Sequence, residues 1–125
     1  MSAACRVLLI DDEEDACLVL GDLLEDTGCQ VSAVSDPLDA VRIASVEAFD
    51  LVLLDMRMPG MSGLDVLRCI RDKGHREIVI LSGYVDDSLE ARARREGACD
   101  VMRKPVDLDR LFRRIETLRR PVAVG

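Results

Sequence analysis

The chain has 125 residues, 49% of them apolar and 33% charged, which is the size and balance of one globular domain with a core of its own. Its net charge of −7 argues against nucleic acid as a direct partner, because phosphate contacts need clustered Lys and Arg. No apolar run approaches the roughly 20 residues of a bilayer span, and no basic segment followed by a long apolar one opens the chain, so neither a membrane anchor nor a signal peptide is expected.

In chain order, strand-like and helix-like segments alternate. Arg6 to Ile10 is a short aliphatic strand that runs into Asp11-Asp12-Glu13-Glu14. From Asp15 to Thr27, Cys17, Leu20 and Leu24 share one helical face, and Gly28 reads as the C-cap. Gln30 to Val34 is a second strand. Asp36-Pro37 is an N-cap followed by proline at the first helical position, with a helix to about Val46. Leu51 to Asp55 is a continuous aliphatic strand that ends in a carboxylate, after which Pro59-Gly60 turns the chain away. Ser62 with Asp65 resembles a capping box for a helix to Gly74. Ile78 to Leu81 is a fourth strand, Asp87 to Glu96 a helix with a thin apolar face ending at Gly97, and Cys99 to Met102 a weak fifth strand. Asp107 to Arg119 carries one stripe, Leu108, Leu111, Phe112, Ile115 and Leu118, and Pro121 stops it.

Five strands and five helices in strict alternation predict a parallel sheet covered on both faces, a doubly wound three-layer α/β domain. Five widely spaced cysteines without a Cys-x-x-Cys argue against a disulfide framework or zinc site and fit a reducing, cytoplasmic setting. Cys17, Cys69 and Cys99 are expected as small buried hydrophobes and His75 as a surface loop residue. The basic residues Arg92, Arg94, Arg95, Arg113, Arg114, Arg119 and Arg120 are expected on solvated helix faces.

In such sheets ligands bind beyond the carboxyl ends of the strands. Those positions hold Asp11 and Asp12, Asp55, Ser82-Gly83 and Lys104-Pro105. Clustered carboxylates resist ionising together, and a divalent cation removes the conflict. Hard oxygen ligands suit Mg²⁺, with Mn²⁺ as an alternative. A carboxylate beside such an ion, a lysine and a hydroxyl is arranged to attack phosphorus, and Asp55, at the tip of the most apolar strand, is the best-placed nucleophile.

The segments "LLIDDEE", "LVLLDMRMPGMSGLDVL", "VILSGY" and "KPVDLDRL" together resemble the receiver domain of bacterial two-component response regulators, from Arg6 to about Arg119. The resemblance implies a flavodoxin-like (βα)5 fold with strand order 2-1-3-4-5. It implies that Asp55 accepts a phosphoryl group from a sensor histidine kinase or histidine phosphotransfer protein. It also implies that Asp12 coordinates Mg²⁺, that Asp11 supports the metal partly through water, and that the Arg57 backbone carbonyl completes the ligands. Lys104 is then expected to contact the carboxylate and the phosphoryl group, Ser82 to supply the switching hydroxyl, Gly83 to keep space open beside the phosphoryl group, and the Lys104–Pro105 bond to be cis. Such a domain catalyses only its own phosphorylation and slow hydrolysis, and is not an enzyme with a separate substrate.

Phosphorylation in this family shifts a surface around the fourth helix, fifth strand and fifth helix, which binds an output partner or supports a homodimer. Across it, Arg92, Arg95 and Arg113 are placed to pair with Asp100, Asp107 or Asp109. The domain is expected over residues 1–120 and a tail or linker start over 121–125, with any effector domain beyond. One departure is Val101, where the family usually carries Tyr or Phe; Tyr84 is a candidate to substitute. Two rival readings are an aspartyl-phosphate-forming phosphohydrolase, against which Arg57 stands where a second Asp is usual, and a phosphorylation-independent interaction module.

Overall fold

The computed structural model describes residues 5–57 and 60–118. Elements alternate without exception: β1 Arg6–Ile10, α1 Glu14–Asp26, β2 Gln30–Val34, α2 Pro37–Val46, β3 Leu51–Asp55, α3 Gly63–Asp72, β4 Ile78–Ser82, α4 Asp87–Arg95, β5 Asp100–Arg103 and α5 Leu108–Leu118. The strands form one parallel sheet of order β2-β1-β3-β4-β5, the flavodoxin-like arrangement. Pro121, expected to stop the last helix, and the tail expected over 121–125 lie outside the described residues, as does Pro59 of the turn, while Gly60 takes a left-handed φ of +93°.

Side chains alternate across each strand, so every inner strand must be apolar on both faces. Leu8, Ile10, Val52, Leu54, Ile78, Ile80 and Val101 face a core completed by Ala40 and Ala44 of α2, Val66, Leu67 and Ile70 of α3, and Ala93 of α4. Val7, Leu9, Leu51, Leu53, Val79, Leu81 and Met102 face a second core, closed by Cys17 and Leu24 of α1 and Leu111 and Ile115 of α5. β3 lies between β1 and β4 with all five residues buried, which makes its carboxyl end a rigid mount. Each fully buried aliphatic side chain contributes about 1.5–3 kcal/mol.

Local signals act mostly as read. The Asp36 carboxylate accepts from the Leu38 N–H at 3.3 Å, with Pro37 opening α2. The Ser62 side chain makes no cap hydrogen bond, so the expected capping box is not formed, and Asp65 pairs instead with Arg68 at 3.4 Å. What this turn demands is Gly63: a Cβ there would stand 2.8 Å from the Met56 carbonyl oxygen, so only glycine lets α3 start against the end of β3.

Three expectations are corrected. His75 is buried, not a surface residue: its Nε2–H donates to the Ala44 carbonyl at 2.7 Å, and its ring lies 6.0 Å from Phe49. Ala44 stands in the last turn of α2, where carbonyls lack helical partners, so the imidazole serves as a tertiary cap. Among the cysteines, Cys5, Cys17 and Cys29 are buried while Cys69 and Cys99 are half-buried, Cys99 lying beside the Glu77 carboxylate and the Arg114 guanidinium. Of the late basic residues, Arg92, Arg94, Arg95 and Arg113 are exposed as expected and Arg119 and Arg120 lie outside the described residues, but Arg114 is half-buried and converges with Arg94 and Arg110 on Asp100, which is only 4% exposed.

His75→Ala should lower stability by about 1–3 kcal/mol, because the Ala44 carbonyl is left buried without a donor. Urea unfolding at neutral pH checks this; an unchanged midpoint would show that the carbonyl finds another partner.

Candidate functional site

Strand parity decides which side chains meet at the carboxyl edge. Asp11 continues the Val7–Leu9 face, Asp55 the Leu51–Leu53 face and Lys104 the Met102 face, so all three rise on the α1–α5 side of the sheet. Asp11 and Asp55 are each 4% exposed and Asp12 is exposed. Carboxylate oxygens of Asp11, Asp12 and Asp55 lie within 4.8 Å of one another.

Lys104 holds the pair together. Its Nζ donates to Asp11 Oδ2 at 2.9 Å and to Asp55 Oδ2 at 3.3 Å. Its backbone N–H donates to the Ser82 carbonyl at 2.7 Å, and the following bond to Pro105 is cis. The remaining oxygens are occupied by backbone: Glu13 N–H donates to Asp11 Oδ1 at 2.9 Å, and Arg57 N–H to Asp55 Oδ1 at 3.1 Å. The sequence pointed Lys104 at Asp55; the shorter bond goes to Asp11.

The two acids divide the electrostatic cost unequally. Burial pushes Asp55 above its ordinary value, and the Asp11 carboxylate pushes the same way against the Arg57 N–H and Lys104. Burial also acts on Asp11, but the Glu13 N–H and Lys104 outweigh it and hold Asp11 below its ordinary value. Burial opposes charge on Lys104, yet its bonds to Asp11 and Asp55 raise it, so it stays an ammonium. Below the cluster, Cys17 donates its S–H to the Asp11 carbonyl at 3.4 Å, and burial, reinforced by Asp11, pushes that thiol up to about 11. It is a packing group and not a nucleophile.

Two carboxylates in a buried cleft, a third at its rim and one ammonium leave an excess of negative charge. That donor set fits a hard divalent cation such as Mg²⁺, which takes one or two carboxylates and keeps several waters.

Residues 7–116 match the model of the response regulator receiver domain. The chain belongs to that family, the receiver domains of two-component response regulators. A response regulator receiver protein of Anaeromyxobacter sp. (strain Fw109-5) is 38% identical over 109 residues, 86% of this chain and 45% of that protein. The chain spans about half or less of the length of the curated relatives it matches. A receiver domain protein of Clostridium thermocellum superposes with a TM-score of 0.83 at 33% identity, covering 91% of this chain and 93% of that one. The receiver domain of the sensor histidine kinase PA1611 of Pseudomonas aeruginosa PAO1 superposes with a TM-score of 0.81 at 27% identity, covering 93% and 98%, and that structure has a magnesium ion coordinated in its active-site cleft.

In this receiver domain the other sequence-predicted residues are placed as follows. Arg57 is exposed, and its N–H is tied to Asp55. A Cβ at Gly83 would meet no atom within 4 Å, so the space beside it is open. Ser82 is buried but lies on the opposite strand face, and its hydroxyl donates to the Tyr84 carbonyl at 2.8 Å and accepts the Tyr84 N–H at 3.3 Å. It therefore does not join the Asp–Lys cluster in this state. Tyr84 engages through its backbone while its ring is 64% exposed, so the ring does not fill the place of the missing aromatic at Val101. Arg103, on the strand face opposite Lys104, points away from the site and reaches the Val85 carbonyl at 2.9 Å. Asp100 with Arg94, Arg110 and Arg114 was not legible, because its partners come from two other elements, α4 and α5; Asp100 is engaged within the chain and is not a spare acid for Arg92, Arg95 or Arg113.

Asp55→Asn should stabilise the metal-free domain by about 1 kcal/mol at pH 7. With its folded pKa raised above the unfolded one, ionised Asp55 costs the folded state above that range and nothing once it is protonated in both states. The gain should therefore shrink as pH falls through the carboxylate range. Urea unfolding in chelator checks both points; a variant no more stable than wild type at pH 7 would contradict them.

Proposed function

We propose that this receiver domain is a phosphorylation switch in which Asp55 accepts a phosphoryl group from the phosphohistidine of a sensor histidine kinase or histidine phosphotransfer protein. The observation that carries the reading is Lys104, which bridges Asp55 and Asp11 at 3.3 and 2.9 Å at the edge of a three-carboxylate cluster. Asp11, Asp12 and Asp55, with the Arg57 carbonyl, are the groups that would hold Mg²⁺. The magnesium in the Pseudomonas receiver supports that assignment. When bound, the ion supplies neutralisation of the carboxylates and of charge on the phosphoryl oxygens.

The chain's own residues do the positioning. An Asp55 oxygen attacks phosphorus, a P–O bond forms, the donor's P–N bond breaks, and its electron pair returns to the imidazole. Arg57 N–H and Lys104 fix the two Asp55 oxygens and so the direction of attack. Lys104 keeps its proton and turns its charge to the phosphoryl oxygens. Ser82 leaves Tyr84 to donate to the same oxygens, and the loop that follows it carries the change to the α4–β5–α5 face. The domain acts on itself, with later hydrolysis restoring the carboxylate, so it is an acceptor and not an enzyme with a separate substrate. A cytoplasmic setting and an output domain or partner beyond this chain complete the proposal.

Incubation with Mg²⁺ and phosphoramidate should add the mass of one phosphoryl group. Asp55→Asn should add none, chelation of Mg²⁺ should stop the reaction, and Lys104→Met should slow it about a hundredfold or more. An unaltered wild-type mass would refute the reading.

A further inference from the structure

Strand parity puts Ser82 and Arg103 together on the α4 side, opposite each other in the β4–β5 ladder. Between the two lies the loop 83–86, which has little packing of its own. Gly83 has open space around it, the Tyr84 ring stands in solvent, and only Val85 touches the core beneath. Asp86 at its end belongs to the cap of α4, and the residues before it are held by two polar anchors: the Ser82 hydroxyl on both backbone groups of Tyr84, and Arg103 Nη2 on the Val85 carbonyl at 2.9 Å. Two residues before Arg103, on the same face, Val101 is buried and offers no ring to relocate.

We infer that Arg103 is a positioning residue for phosphoryl transfer at Asp55, clamping the β4–α4 loop in the conformation that keeps the Ser82 hydroxyl on Tyr84. The inference rests on the phospho-acceptor reading of Asp55 and adds to it the element that regulates the site. For Ser82 to reach a phosphoryl group on the other face of the sheet, its hydroxyl must leave both backbone groups of Tyr84, and the loop that they anchor shifts with it. The Arg103–Val85 bond opposes that movement. In this chain a guanidinium anchored on β5 therefore sets the ease of the switch, at the strand and face where Val101 leaves no aromatic group to do so.

Two measurements on the 125-residue chain test this. Without phosphodonor, hydrogen exchange of amides 83–86 should speed up in Arg103→Ala, and Arg103→Lys, which keeps a donor, should stay near wild type. With Mg²⁺ and phosphoramidate, Arg103→Ala should be phosphorylated about three- to tenfold faster. That gain should vanish when Ser82→Ala is added, since no hydroxyl is left to release. Unchanged exchange and rate in Arg103→Ala, with wild type phosphorylated normally, would overturn the clamp alone. So would an equal acceleration in the Ser82→Ala background. A wild type that takes no phosphoryl group, with loop exchange still responding to Arg103, would overturn the coupling to Asp55 together with the phospho-acceptor reading.

Discussion

The side chains of Asp11 and Asp55 are buried next to each other and share one ammonium, that of Lys104. Two ionised carboxylates so placed repel, and each has lost most of its water, so the folded chain holds them only because other contacts make that arrangement unavoidable. The contacts are those of the parallel sheet, in which β1, β3 and β5 bring residue 11, residue 55 and residue 104 to one edge. The imbalance that results, Asp55 raised and Asp11 lowered, leaves one acid poorly accommodated at the carboxyl end of the fully buried central strand. An acid held under such strain is suited to bonding with an electrophile or an ion, and the fold tolerates it because stability is supplied elsewhere.

The far side of the same edge has a different character. Ser82 and Arg103 face α4, and their contacts are to loop carbonyls and not to the acids. At the amino end of β5, Asp100 gathers Arg94 from α4 and Arg110 and Arg114 from α5, tying the carboxyl end of α4 to the neighbouring elements. Glu96, the C-cap of α4, is gripped by Arg68 at 3.0 Å, and its carbonyl by Arg71 at 2.7 Å. The other end of α4 has the Asp86 cap and the Arg103 contact just before it. Movement that begins at Ser82 therefore meets the loosely held end of α4 first.

Much of this was legible in the residues. A run such as Leu51–Asp55 can only be a strand buried on both faces, and the acid at its tip marks the functional edge. Asp36-Pro37 and the stripe of α5 announce their elements with equal clarity. The failures share a cause: each depends on a three-dimensional contact that the local pattern of residue types does not reveal. His75 is buried because the end of α2 needs a donor, which no local pattern reveals. Ser62 carries the composition of a cap, but close approach at Gly63 governs that turn. The burial of Asp100 depends on arginines from two helices. The orientation of Ser82 is a rotamer choice made by its loop, and the division of Lys104 between two acids depends on a separation of 93 residues in the chain.

The central claim is that the acids of β1 and β3 form one site whose excess charge a divalent ion relieves. The most direct measurement is the urea midpoint as a function of Mg²⁺ at constant ionic strength. The account predicts a saturable rise, as mass action requires of a ligand bound by the folded state alone, and its loss in Asp12→Asn. A wild-type midpoint that does not respond to Mg²⁺ would contradict it.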